Sequence, residues 1–276
     1  MPLYGNGWRP TRVTRFDQGI GTSTGPARVD TDSGAGYLKG LGNPEGPHAL
    51  ACELVGSMLA DWRGLTTLDF ALVEVTEDDD IPFLKGGKVL PGPAFISRDE
   101  KSGYPWSGTV RELKSVVNPE EISGLVVLDT WTLNYDRYAP DRQRVHRDNV
   151  FLIQCATRRV RVKLVAMDFT HAFRLGGEIN RKLAFIERRR DVRVYGRFPE
   201  FNRFLNREHV RRFSTRLGQF SRAEAEEIIA RVPVAWEVTR DGRSAWATLI
   251  TDRAHFVADT IESILWPQLE LEGGTE

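Results

Sequence analysis

Cysteine is scarce: the 276 residues hold two, Cys52 and Cys155, far apart and each beside apolar neighbours. Two such thiols exclude a disulfide framework and a cysteine-built metal site, and they read as buried and reduced. Net charge is missing too, because 38 Lys and Arg balance 38 Asp and Glu. Long apolar runs are absent; Leu125–Leu128 is typical of those present and falls far short of a membrane span. The opening Met1-Pro-Leu-Tyr-Gly has no charged head followed by an apolar stretch, so no secretory leader and a cytoplasmic location are expected. With 41% hydrophobic and 28% charged residues, the composition excludes a disordered or collagen-like chain.

The zero net charge hides an uneven distribution. Residues 137–222 carry 22 basic and 8 acidic side chains, a local +14 that the rest of the chain cancels. A basic surface for a polyanion is one reading. The preferred one is that Arg188-Arg189-Arg190 and the Arg203, Arg207, Arg211 series form solvated helix faces touching acidic parts of the same protein. No zinc-finger or RNA-recognition signature occurs, so nucleic acid is not an expected partner.

Local patterns predict mixed α and β structure followed by a helical tail. A hairpin is expected between Arg12 and Lys39, then a helix from Pro47 to Arg63 with Leu50, Leu54, Met58 and Leu59 on one face and Gly64 as its stop. Leu68–Val75 reads as a strand, and residues 76–108, rich in Gly and Pro, as a long surface excursion. Asn118-Pro119-Glu120-Glu121 predicts a helix start with Asn118 accepting from the first amides, and a helix to about Leu133. Val150–Gln154 and Val160–Met167 read as a hairpin across a basic turn. After Gly176 helices dominate, with a capping box at Ser221-Arg-Ala-Glu224 and a final amphipathic helix over Ser244–Trp266. Tryptophans 131, 236, 246 and 266 are expected in the core.

Three fragments carry chemistry. Lys39, in Gly36-Tyr37-Leu38-Lys39, precedes Glu53 on the predicted helix; a strand lysine opposite a helix glutamate can hold an ammonium against nucleotide phosphates. Asp136, in Asn134-Tyr-Asp136-Arg137-Tyr138, lies just past a helix end and can accept a hydroxyl proton, while the amide oxygen of Asn149 can bind a metal also held by phosphates. Asp168 ends an apolar strand in Val165-Ala-Met-Asp168-Phe169-Thr170-His171, where a second metal ligand is expected. His171 and Asn134 read as structural.

Together these fragments resemble the HipA-like kinases, in their bacterial branch without a long N-terminal extension. The resemblance rests on Gly21-Thr-Ser-Thr24, Tyr37-Leu-Lys39-Gly-Leu-Gly-Asn43-Pro-Glu-Gly-Pro47, Asn134-x-Asp136-Arg137 and Met167-Asp168-Phe-Thr-His171-Ala-Phe173. It covers most of residues 17–175 and thins afterwards, although Val232-Pro-x-x-Trp236 also fits. It implies an α+β, two-lobed protein-kinase-like fold, with a sheet-containing N-lobe over residues 1–115 and a mainly helical C-lobe over 116–276. It implies ATP and Mg²⁺ as cofactors, Lys39 on the phosphates oriented by Glu53, Asp136 as catalytic base, and Asn149 and Asp168 as metal ligands. Gly21, Thr22 and Ser23 would lie near the phosphates, and the base would meet the strand Phe70–Val75, with Glu74 and Val75 as backbone hinge.

The implied activity is transfer of the γ-phosphoryl group to a Ser or Thr hydroxyl of a protein. A nucleotide-holding pseudokinase and a lipid kinase are the alternatives, and a small antitoxin-like partner follows by analogy alone. Two departures stand out. Tyr138 occupies a place where the family often has His, and Asp136 and Asn149 are thirteen residues apart where kinases need about five. The extra segment, Ala139–Asp148, contains His146-Arg147-Asp148; Asp148 is a rival to Asp136, although Asn149 follows it without a spacer. Ser23 has two readings, a small turn residue and an autophosphorylation site.

Overall fold

In a computed structural model, which describes residues 7–155, 158–174 and 177–267, the chain forms two sheets and seven α-helices among those residues. The leader reading of residues 1–5 lies outside the described residues. Strands β1 (Val13–Gly19), β2 (Ala27–Thr31) and β3 (Gly34–Leu41) form an antiparallel meander, one strand more than the expected hairpin. Helix α1 (Pro47–Arg63) keeps its predicted bounds: Pro47 opens it, and Gly64 at φ 81° ends it by donating to Ala60 and Asp61 carbonyls.

The excursion over 76–108 is where the prediction fails. It contains β5 (Leu90–Arg98), which lies between β3 and β4 (Phe70–Val75) and completes a sheet of order β1-β2-β3-β5-β4. Pro91-Gly92-Pro93 disguised it as turn chemistry. The prolines fall where the β3–β5 register breaks, between Lys39 and Leu41, so the missing N–H groups cost the ladder little. Ile81, Phe83 and Val89 of the same excursion are buried with Val29, Leu38, Val73 and Ile96, and so cover the outer face of the sheet.

Past Arg98 the chain crosses into a second sheet of order β6-β7-β8, built from β6 (Gly103–Pro105), β7 (Val150–Cys155) and β8 (Arg158–Ala166). This crossing precedes residue 115, the expected lobe boundary. The β7–β8 pair is the predicted hairpin, and its turn residues 156–157 lie outside the described residues. The short α2 (Val110–Leu113) leads to α3 (Glu120–Thr132), nearly all of whose residues are buried, as befits a helix apolar on every side.

Around α3 pack α5 (Arg207–Leu217) and α7 (Arg240–Leu265), with α6 (Arg222–Ala230) against α7 and the short α4 (Ile186–Arg189) beside it. The capping box at Ser221 and Glu224 forms with both of its hydrogen bonds. Trp131, Trp236 and Trp246 are fully buried; Trp266 is only partly so and lies under the Arg207 guanidinium. Much of the basic region is neutralised internally, with Arg189 paired to Asp252 and Arg207 and Arg211 to Glu262. Both cysteines are free thiols, and burial pushes Cys52 up to about 12, which leaves it unreactive. Among the described residues no helix is long and apolar enough to cross a membrane.

Asn118 does not cap α3. Its amide instead ties the helix entry to β8, accepting from Leu164 N (2.9 Å) and donating to Leu164 O (3.0 Å). Glu121, in the first turn, is buried beneath Thr66, whose backbone N and hydroxyl donate to it at 3.1 and 3.0 Å. Burial pushes the Glu121 carboxyl up to about 7 against those two bonds. An acid raised in the folded state contributes no penalty below its unfolded value near 4.3, and the penalty grows as pH rises towards 7. Glu121→Gln should therefore gain stability relative to the parent protein by about 2–4 kcal/mol between pH 5 and pH 8. Urea unfolding at the two pH values checks this, and an equal difference at both removes it.

Candidate nucleotide-binding and catalytic cleft

Between the two sheets opens a cleft of about 430 Å³. Alternation along β3 turns Tyr37 and Lys39 to it while Leu38 faces the outer core, and β5 presents Phe95 and Ser97 on the same side. Helix α1 contributes Glu53 and Ser57 from behind. The second sheet and the residues flanking its strands supply Asn149, Phe151, Ala166, Met167 and Asp168 from the opposite wall.

Lys39 is the hub of the cleft. Its Nζ lies 2.8 Å from Glu53 Oε2, 3.4 Å from Asp168 Oδ1 and 3.1 Å from the Thr170 hydroxyl. Burial alone would lower its pKa, yet Asp168 and Glu53 more than offset this and hold it raised, so the ammonium is retained. Burial likewise works against the Asp168 carboxylate, but Lys39 foremost and the Thr170 hydroxyl hold it well below the usual range. Glu53 also accepts from Phe169 N (3.2 Å), and the Thr170 hydroxyl lies 2.8 Å from Glu53 Oε2 and 3.0 Å from Asp168 Oδ1. Thr170 is thus a member of the cluster to which sequence reasoning gave no role.

The second missed residue is Arg137, fully buried on the far side of Asp168. It donates to Asp129 Oδ2 (2.8 Å), to Met167 O (2.8 Å) and to Asn149 O. One guanidinium therefore fixes the backbone at Asn149 and next to Asp168. The thirteen-residue spacing does not separate Asp136 from Asn149: Asn149 Nδ2 donates to Asp136 Oδ2 at 3.0 Å. The inserted segment folds back on itself through a bridge between Tyr138 and Val145 and bonds from Ala139 N to Arg144 O and His146 N to Arg137 O.

Of the predicted site residues, Thr22, Lys39, Glu53, Asn149 and Asp168 line the cleft, and so does exposed Asp148. Asp136 stands directly behind Asn149 and outside the lining. Gly21 and Ser23 flank Thr22 without lining the cleft. Ser23 Oγ instead lies 3.5 Å from Nε2 of buried His171. Glu74 and Val75 are away from the cleft. Only Phe70 of β4 reaches it; Glu74 is four residues further, roughly 13 Å along the strand, and Val75 points into the outer core. The stretch that lines the cleft and joins the sheets is Ser97–Lys101.

Among the described residues no hydrogen bond reaches Asn149 Oδ1 or Asp168 Oδ2, whereas Asn149 Nδ2 and Asp168 Oδ1 are engaged. Two free oxygen donors on one cleft suit a hard divalent cation that takes its remaining ligands from phosphates and water. Among the described residues no cluster of three or more His, Cys, Asp or Glu is placed to hold a metal ion.

Helix α1 comes close to the Asp168 turn because Gly56 has no side chain. A Cβ there would lie 2.2 Å from Phe169 Cβ. Gly56→Ala should destabilise the protein by about 1–3 kcal/mol and weaken nucleotide binding, because Glu53 sits one turn away. Thermal unfolding with and without ATP measures both, and an unperturbed variant removes this role.

The Helicobacter pylori proinflammatory kinase CtkA superposes with a TM-score of 0.59 at 12% identity, over 93% of this chain and 98% of that one. A Golgi casein kinase solved with Mn and ADP gives a TM-score of 0.49 at 8% identity, over 92% of this chain and 74% of that one. No curated protein matches. The family model described as HipA-like kinase matches residues 14–265, and the chain therefore belongs to the HipA-like kinases, with the two-lobed fold and phosphotransferase class of that family.

Proposed function

We propose that this kinase transfers the γ-phosphoryl group of ATP to a Ser or Thr hydroxyl of a protein, with Mg²⁺ as the divalent cation. The observation that carries the reading is the convergence of Lys39, Glu53, Asn149 and Asp168 on one cleft, with Asp136 hydrogen-bonded to Asn149. Lys39 meets the phosphates and Glu53 orients it. Asn149 Oδ1 and Asp168 Oδ2 hold the cation, which supplies charge neutralisation on the phosphates. The base lies among Phe70, Phe95, Phe151 and Met167, beside the backbone of Ser97–Lys101, in place of the β4 hinge expected from sequence.

Asp136 takes the proton of the accepting hydroxyl while that oxygen bonds to the γ-phosphorus and the bond to the departing ADP oxygen breaks. Most of the rate comes from positioning and charge, since little covalent work falls to the protein. The stretched loop gives no support to a module that only holds nucleotide, because the folded insertion returns Asn149 to Asp136. A cytoplasmic location and a small antitoxin-like partner belong to the same reading on the strength of the family alone.

Two variants test the roles separately. Asp136→Asn should lower kcat by about 10²–10⁴-fold with ATP affinity retained. Asp168→Ala should abolish both Mg²⁺-dependent ATP binding and turnover. Mass spectrometry of the protein and a peptide pool after incubation with Mg-ATP reads the transfer. Neither phosphopeptide nor ADP from the parent protein, or full turnover in Asp168→Ala, rejects the reading.

A further inference from the structure

The inserted segment builds something. Beside Asp136, outside the nucleotide cleft, lies a second cavity of about 240 Å³, lined by Tyr135, Ala139, Pro140, Asp141, Gln143, Arg144, Arg193 and Tyr195. Five of these residues belong to the insertion that lengthens the Asp136–Asn149 loop. A loop that merely tolerated extra length would have no need to form a wall next to the proposed base.

Its polar equipment is mainly cationic. Arg144 lies over the Tyr135 ring at 5.0 Å and donates to Asp136 Oδ1 at 3.1 Å. Arg193 lies over Tyr195 at 5.7 Å and is held at its back by Asp191. Stacking on a ring presets the plane of a guanidinium and leaves its remaining N–H groups free for a carboxylate or phosphate. Asp141 is the one acid in the lining, and its Oδ1 is engaged by Gln143 N.

The second observation concerns the base itself. Both Asp136 oxygens are occupied, Oδ2 by Asn149 and Oδ1 by Arg144. The Asn149 bond is buried, but the Arg144 side chain is 47% exposed, so solvent screens its ion pair and makes it the weaker of the two holds. Arg144 is therefore the partner that can leave at small cost, and an anion in the adjoining cavity gives it somewhere to go.

We propose that this cavity is an acceptor-flank subsite that takes an acidic segment of the protein substrate. Its carboxylate pairs with Arg144, draws it off Asp136 Oδ1, and frees that oxygen for the proton of the accepting hydroxyl. The transfer step is the one written above, and the inference rests on that reading of Asp136. The selectivity follows from the exchange: a neutral flank offers Arg144 no partner and leaves the base covered.

The test separates binding from catalysis. Fluorescence polarisation compares a Ser peptide with Glu flanks, the same peptide with Gln flanks, and a third with Lys flanks, on the full chain saturated with a non-hydrolysable ATP analogue. The Glu peptide should bind at least about tenfold more tightly than the Gln peptide. Arg144→Gln should bring that ratio towards one, and Arg144→Glu should transfer the preference to the Lys peptide. An ATP Kd equal to that of the parent protein shows that each variant is folded. Equal binding of Glu and Gln peptides, or a preference unchanged in Arg144→Gln, overturns the subsite whatever the catalytic result. A binding preference without any phosphate transfer overturns the kinase reading and leaves the anion site standing.

Discussion

A single buried guanidinium holds the cleft in register. Arg137 is anchored by Asp129 and reaches two backbone carbonyls, those of Asn149, just before β7, and Met167, just after β8. Removing one partner of such a fully buried pair typically costs about 3–5 kcal/mol, because the other charge is left uncompensated. The pair itself adds little net stability over an apolar filling. What it provides is position: Asn149 and Asp168 are held to one another by a rigid, planar fork. Burial pushes Asp129 up, and Arg137 opposes this most strongly.

From the other side, Glu53 does for the first lobe what Arg137 does for the second. It binds Lys39, the Phe169 amide and the Thr170 hydroxyl, so one carboxylate spans β3, α1 and the turn after Asp168. Asp168 itself adopts φ 60°, a conformation that a non-glycine residue keeps only where its surroundings over-determine it. The Arg137 bond before the turn and the Glu53 bonds after it are that surrounding. Gly56 completes the arrangement by letting Phe169 pack against the backbone of α1.

Local signals specified much of this fold. The bounds of α1 were readable because Pro and Gly punctuate a strong helical period, and the β7–β8 hairpin because its runs are rich in β-branched residues. The β5 strand was unreadable, since Pro91-Gly92-Pro93 carries turn chemistry into a position that only the broken β3–β5 register excuses. That one failure propagated. With β5 unseen, the backbone hinge was assigned to β4, and Glu74 and Val75 were expected at a cleft that Ser97–Lys101 line instead. Lys39, Glu53, Asn149 and Asp168 were legible as motif residues, but Arg137 and Thr170 were not given work. Arg137 meets Asp129 and two backbone carbonyls only through the tertiary fold, and such contacts leave no periodic signature in sequence.

The charge of the cleft bears on why a cation belongs in the proposed reaction. Glu53, Asp99, Glu100, Asp148 and Asp168 line it against Lys39, Arg98 and Lys101; Arg98 is already paired with Asp69, and Asp99 with Arg28, which leaves four acids against two lysines. Such a wall repels a triphosphate, and Lys39 alone cannot reverse the sign while it shares its charge with two carboxylates. A divalent ion held by the unengaged oxygens of Asn149 and Asp168 would convert two of the repulsive or indifferent groups into attachment points for the phosphates. Under the proposed reaction the acids would act as a filter, repelling nucleotide without its metal and accepting it with the metal. The twelve residues of sequence between Asp136 and Asn149 do not alter that balance, because electrostatics depends on the 3.0 Å between their side chains and not on the length of chain that connects them.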